Sequence, residues 1–269
     1  MKAVVLIAAA LVAQTTASPQ PTPTFEVVSI RPSRSDDTGW RVGAQPGGRW
    51  VLVNAAIVAL VRAAYPTDSS EYSGGPDWLR SERYDVTAVG PAGTGQADIE
   101  PMLRALLAER FRFKGHYETA ERPVYNMVLA RADGKLPPGL RKVDLDCEAR
   151  RDANVRGEKL PELPRRPNGQ LPCGYGMRYT DSAQITAGGI TMATLARTIQ
   201  STAGRVIADK TGLDGYYEFT LSFTDKPSPN TDHADIFTAL QEQLGLRLAP
   251  AVGTVQVFVV DHIERPTEN

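Results

Sequence analysis

Two stretches of this chain carry similar residues in the same order. Leu60 in NAAIVAL stands where Leu195 stands in GITMATL, 135 positions on, and Tyr84 in RYDVT stands where Tyr217 stands in YYEFT, 133 positions on. Leu107, Glu109, Phe111 and Phe113 of LLAERFRF align with Leu240, Glu242, Leu244 and Leu246 of ALQEQLGL at 133, and VYNMVL aligns with VQVFVV at 131. Offsets that drift by a few residues while the order persists are what duplication followed by small loop changes leaves behind. Each half then reads strand, helix, short bridge, strand, helix, strand, strand. The fold class expected is α+β, in two pseudo-repeated units with helices packed on small, mainly antiparallel sheets.

Local signals fill in this plan. In the first half FEVVSI alternates as a strand, 31–48 is loop-like, and RWVLVN is a second strand. Asn54 stands where it could cap the helix IVALVRAAY, which Pro66 ends. A strand is expected over Arg83–Val89, then a helix capped by Asp98, with Pro101 in its first turn and Met102, Leu103, Leu106 and Leu107 on its apolar face, then strands over Phe111–Glu118 and Pro123–Ala130. In the second half Thr191 caps a helix, with Ile190 and Leu195 placed as a hydrophobic staple. KTGLDG then turns into a strand on which Tyr217, Phe219, Leu221 and Phe223 share one face. The first-half counterpart around Trp78–Val86 keeps this strand entry without the glycines or the lysine, so DKTGLDGYYEF reads as architecture rather than catalysis.

The ends and the middle set the boundaries. Residues 1–17, with Lys2, an apolar run from Ala3 to Ala13 and small residues before Ser18, read as a secretory signal, the alternative being an uncleaved anchor. The run is shorter than the ~20 residues that span a bilayer, so no transmembrane span is expected in the mature chain and an exported, periplasmic or extracellular location is. Residues 18–24 form a linker, 25–131 the first unit, 132–181 a Pro/Arg-rich surface connection, and 182–269 the second unit. Cys147 and Cys173, the only two cysteines, lie inside the connection. In an oxidising compartment they are expected to pair, closing a loop worth about 3 kcal/mol; a metal or redox pair is the rival reading, weakened by the lack of CxxC spacing or nearby histidines.

FEVVSIRPS, SGGPDWLRSERYDVTA, MLRALLAERFRFKGHYETAERPVYNMVLA, DKTGLDGYYEFTL and VQVFVVDHIERPTEN together resemble a large family of uncharacterised secreted bacterial proteins, abundant in acidobacteria and classed as a domain of unknown function. Some members of that family carry a similar domain appended to a BlaR-type antirepressor metallopeptidase, which implies sensing or binding outside the cytoplasm. No HExxH is present here, so protease activity does not carry over, and the resemblance supplies no catalytic residues. Each half is also similar, more weakly, to the short α+β modules at the N-termini of secretins and TonB-dependent receptors, a likeness of fold alone.

The chemistry-bearing residues are scattered. A net charge of -1 gives no field to gather a polyanion, and no nucleic-acid partner is expected. Of the three histidines, His116 falls on the polar face of a strand, His233 lies in TDHAD at a helix start, and His262 ends a strand; no metal site and no cofactor emerge. There is no GxSxG elbow, no GxxxxGK[ST] phosphate loop, and no strand-linked GxGxxG. Carboxylates such as Glu82 with Asp85, or Glu118 with Glu121, read as solvated faces. Trp40, Tyr72 and Trp78 are the candidate binding residues, able to stack on a sugar or peptide, although core packing is the first expectation for Trp78, as for Trp50. The function expected is an exported, non-enzymatic binding or sensing module for a protein partner, a cell-wall fragment or a small molecule; a secreted hydrolase with a dispersed catalytic set and an envelope assembly module are the alternatives.

Overall fold

The computed structural model describes residues 23–34, 39–67, 71–131, 133–163, 172–179, 182–224 and 234–266. The signal segment, Asp232 and His233 lie outside them. In chain order the elements are β1 (Val27–Pro32), β2 (Arg41–Gln45), β3 (Arg49–Ala56), α1 (Val58–Ala64), β4 (Tyr72–Gly74), α2 (Trp78–Ser81), β5 (Arg83–Val89), α3 (Gln96–Phe111) and β6 (Lys114–Leu129). There follow β7 (Arg141–Val143), α4 (Cys147–Val155), β8 (Gly174–Tyr179), β9 (Ala183–Ile190), α5 (Met192–Ala203), β10 (Ile207–Asp209), β11 (Tyr216–Phe223), α6 (Ile236–Leu244) and β12 (Leu246–His262). They make three four-stranded sheets, in the orders β1-β5-β3-β2, β10-β6-β12-β4 and β7-β11-β9-β8.

This corrects the expected fold class. Strands hold 41% of the described residues against 26% for helices, and the helices do not form layers on small sheets in repeated units. The reason lies in the middle sheet, which neither half owns. β6 and β12 pair antiparallel along almost their whole lengths, from Leu246 opposite Leu129 to His262 opposite Lys114. The short strand β4 then pairs parallel with β12, and β10 pairs parallel with β6, so each half completes its sheet on a strand of the other. α2 and α4 fall outside any common pattern of the halves. The chain is a mainly sheet molecule with two hydrophobic cores interlocked through one long ribbon.

Local expectations are corrected as well: β2 lies within the stretch read as loop, and Gly95 rather than Asp98 precedes α3, Asp98 accepting the Gly95 N–H at 2.8 Å. Asn54 does not cap α1: it is buried within β3 in a left-handed conformation (φ 47°), its N–H bonded at 2.9 Å to Asp85 Oδ1, and Ile57 is the residue before the helix. The register of β3 on β5 shifts between Leu52 and Ala55, and Asn54 fills that bulge, as a residue tolerant of positive φ does. The two strands expected over 111–130 are one. α3 runs on to Phe111, Arg112 ends it in a left-handed turn, and β6 continues through Pro123, opposite Val252. Pro123 is tolerated because β10 covers the outer edge of β6 only from Tyr125 to Met127, so its missing N–H leaves no ladder bond unmade there.

Other local signals meet their expected partners. Thr191 accepts the Thr194 N–H and caps α5. Tyr217, Phe219, Leu221 and Phe223 are all buried on one face of β11. The KTGLDG turn is ordered by side chains: the Thr211 N–H and hydroxyl both donate to Asp209, and the Leu213 N–H donates to Thr211 Oγ1. The first core gathers Trp50, Leu60, Leu79, Leu103 and Phe111 around the β1–β5–β3–β2 sheet, and Phe258 of β12 reaches into it. The second gathers Leu195, Ile199, Phe219, Phe223 and Leu240, closed by Met127 of β6. Fully burying side chains of this size contributes roughly 1.5–3 kcal/mol each, which makes the two cores the main source of stability.

Candidate functional site

The connection between the halves carries an element that walls two concavities. Asp146 caps α4 by accepting the Ala149 N–H at 2.9 Å. The helix is then held at both ends. Cys147, buried at its start, forms a disulfide with Cys173 (Cα–Cα 5.4 Å) and packs so close to β9 that a Cβ on Gly189 would lie 2.7 Å from its sulfur. At the other end Val155 enters the first core, and its carbonyl accepts the Gly48 N–H at 2.7 Å. Between them Asp152 Oδ1 accepts the Gln96 N–H at 2.7 Å at the start of α3. That backbone bond, with Arg156 beside it, holds the Asp152 carboxyl below its ordinary pKa. α4 is thus a strut from the second sheet system to the first.

Where the strut meets the first core it leaves a cleft of about 500 Å³. Its inner wall is apolar: Ala44, which faces Trp50 across the β2–β3 register, with Ile99, Leu103 and Val155. Its rim is polar: Gln96 and Glu100 from α3, Arg151 and Asn154 from α4. The charges around it differ in their engagement. Glu100 pairs with Arg104, whose Nε also donates to the Ala64 carbonyl at 2.8 Å, and Arg156 pairs with Asp152 and Glu158. The exposed side chain of Arg151 makes no ion pair or hydrogen bond among the described residues. Arg151 and Asn154 also border a second hollow of about 910 Å³, lined there by Arg150, Glu158, Leu160, Pro161, Glu162 and Cys173. A volume of this order, with an apolar wall and a few convergent polar groups, is the usual form of a small-molecule site.

The residues singled out in the sequence are not brought together. Trp40, at the entry to β2, is 69% exposed. Trp78 is buried, edge-on to Tyr84 with centroids 6.5 Å apart, and roofed by Arg265 at 5.3 Å. Tyr72 is half-buried under Arg62, its hydroxyl donating to the Tyr65 carbonyl at 2.8 Å, and burial raises its pKa. No ring contact among the described residues joins these three. Tyr72 does belong to a cluster in which Phe258 stacks on Tyr65 at 4.5 Å and meets Tyr117 edge-on at 5.0 Å, sealing the first core where β4 joins β12.

His116 sits on the exposed face of the ribbon. Its Nδ1 lies 2.9 Å from Asp261 across the strand pair and its Nε2 lies 3.0 Å from Glu118, and these two hydrogen bonds, Asp261's first, raise its pKa. His262 Nε2 lies 3.0 Å from Glu264. Among the described residues neither pairs with a nucleophile; His116 fastens the two strands of the ribbon at this end. Among the described residues no group of three or more His, Cys, Asp or Glu is placed to hold a metal ion, and no helix is long and apolar enough to cross a membrane.

The cleft residues Gln96, Arg151 and Asn154 were not legible as a site. The signal available was the proline-free run from Gly139 to Leu160 headed by Asp146, which permits a helix inside an otherwise Pro-rich stretch. Fold and cleft together define a disulfide-braced, mainly sheet protein with a ligand-sized recess at the edge of its first core. The chain belongs to the family described as protein of unknown function (DUF3738), which it matches over residues 58–263, from the start of α1 to just past β12. No curated protein and no solved structure matches it.

Proposed function

We propose that this is an exported, non-enzymatic binding module that takes a small ligand into the cleft between α3 and α4. The observation that supports this reading is the build of the cleft: an apolar wall and a polar rim, carried on elements fixed by a disulfide, a helix-start hydrogen bond and a core anchor. Pre-formed walls of this kind bind without a large ordering cost. Export fits the bonded cysteines, which persist in oxidising compartments. The test is thermal unfolding of the mature chain, starting near Ser18, with cell-wall fragments, glycans, peptides and β-lactams. A ligand at about 100 times its Kd stabilises the native state by ~2.7 kcal/mol. Ala97 is exposed on the cleft lining, so Ala97→Trp fills the recess without touching the core. A stabilisation abolished by Ala97→Trp supports the reading; one that persists in the variant places the ligand elsewhere. A flat response across the panel counts against a small ligand and favours a protein partner.

A further inference from the structure

Resting on the cleft as the binding site, we infer that its ligand is an amphipathic anion: an apolar body carrying a carboxylate that Arg151 receives. Of the charged side chains around the recess, Glu100 is paired with Arg104, and Asp152 and Arg156 are paired with each other, Asp152 also accepting the Gln96 N–H. Arg151 alone stands at the rim without a counter-ion among the described residues. A guanidinium is a planar fork of donors that matches a carboxylate with two parallel bonds, and such charge-assisted pairs are about twice as strong as neutral ones. Asn154, one turn further along α4 and with a side chain that makes no hydrogen bond among the described residues, offers an amide N–H to the same group. The wall below is apolar and suits an aromatic or aliphatic body.

The position of Arg151 limits the ligand further. It borders both hollows, so an anion bound there sits at their junction, with the apolar body on the α3 side; Glu158 and Glu162 line the other hollow, so a further substituent reaching into it is neutral or cationic. The site therefore fits a carboxylate borne partway along a molecule as well as a terminal one.

The matched probes are 4-phenylbutyrate and its uncharged amide, 4-phenylbutyramide, titrated into the mature chain by NMR or calorimetry at up to about 10 mM, the range in which fragments of this size bind. The carboxylate is expected to bind about tenfold more tightly than the amide, as a charge-assisted bond at a partly exposed site would give. Arg151→Gln is expected to remove that tenfold preference while leaving amide binding within about twofold, and Ala97→Trp to abolish both. Equal binding of the two probes, both lost in Ala97→Trp, overturns the anion assignment and keeps the cleft. Probe binding that survives Ala97→Trp overturns the cleft itself. Failure of both probes to bind overturns the amphipathic anion, and the wider ligand panel with Ala97→Trp then decides the cleft separately. Arg151 is exposed, so an unchanged circular dichroism spectrum and melting profile of Arg151→Gln exclude misfolding as the cause of any loss.

Discussion

The two cores are closed on their connection side by different devices, and the arginines that border the recess beside each are engaged differently. Around the second core the chain after β6 folds down directly: Leu140 is buried, and Pro137 lies against Gly245 at the end of α6. The hollow of about 520 Å³ there includes Arg131, but that guanidinium is held by two bonds to Asp133, whose carboxyl is lowered to about 2, chiefly by that bond. Around the first core, closure comes from α4, which rests on α3 and β2 and stands off far enough to leave the cleft, with Arg151 unengaged among the described residues. The same residue type organises a turn in one place and is available in the other. The difference comes from what braces each wall, so perturbing the braces tests it.

The largest effect is expected where the ribbon enters the first core. Phe258→Ala removes a fully buried ring that contacts Tyr65, Phe113 and Tyr117, and should cost about 3–5 kcal/mol in urea unfolding. Leu246→Ala, at the other end of β12 in the second core, should cost about 2–5 kcal/mol. If only one of the two lowers stability, the cores do not share the ribbon as described.

Next comes the strut. The double substitution Cys147→Ser, Cys173→Ser should cost about 3 kcal/mol by releasing the loop closed across 26 residues. Hydrogen exchange should then quicken in α4 more than in α5 or α6. Uniform quickening would mean the disulfide braces the whole molecule rather than the cleft.

Gly189→Ala attacks the same contact from β9, because its methyl would meet Cys147 Sγ at 2.7 Å and the Pro172 carbonyl at 2.9 Å. A loss of about 1–3 kcal/mol is expected, and thermal melts of the single variant beside the cysteine-free background should show a smaller penalty once the sulfur is gone. Helix ends come after this: Thr191→Ala and Asp235→Ala each remove a cap bond, at 3.2 Å to Thr194 N–H and 2.9 Å to Thr238 N–H, and should each cost about 1 kcal/mol.

The smallest effect belongs to His116. Its pKa in the folded protein is raised above the ordinary 6.5, so its bonds to Asp261 and Glu118 stabilise fully below that value and fade as pH rises through the raised one. Melting temperature followed across this range should therefore show a decline on the alkaline side that His116→Gln flattens. A decline unchanged in the variant would assign the pH dependence to another group.

Much of the local structure was legible. The cap at Thr191, the single buried face of Tyr217 to Phe223 and the turn at Gly212 and Gly215 depend on residues within one or two turns of each other, and periodicity and spacing report such contacts directly. Asn54 was misread because a polar residue before an apolar helical run has the signature of a cap; the distant Asp85 that fixes it in a bulge has no local trace. The single long β6 was hidden by Pro123, a residue that breaks most strands but is permitted on an uncovered edge. The cleft was hidden because half of its rim lies on a helix in a stretch whose prolines and charges read as surface.

The sequence by itself determined which cysteines bond, where α5 and α6 begin, and which face of β11 is buried. Only the tertiary structure decided that the two halves interlock through β6 and β12, and that α4 crosses between them to wall a recess on the first core. The physical reason is distance along the chain. A cap or an alternating face is chosen by neighbours a few residues away, whereas the pairing of Leu129 with Leu246, or the seating of Val155 beneath Gly48, is settled only when remote apolar surfaces are buried together.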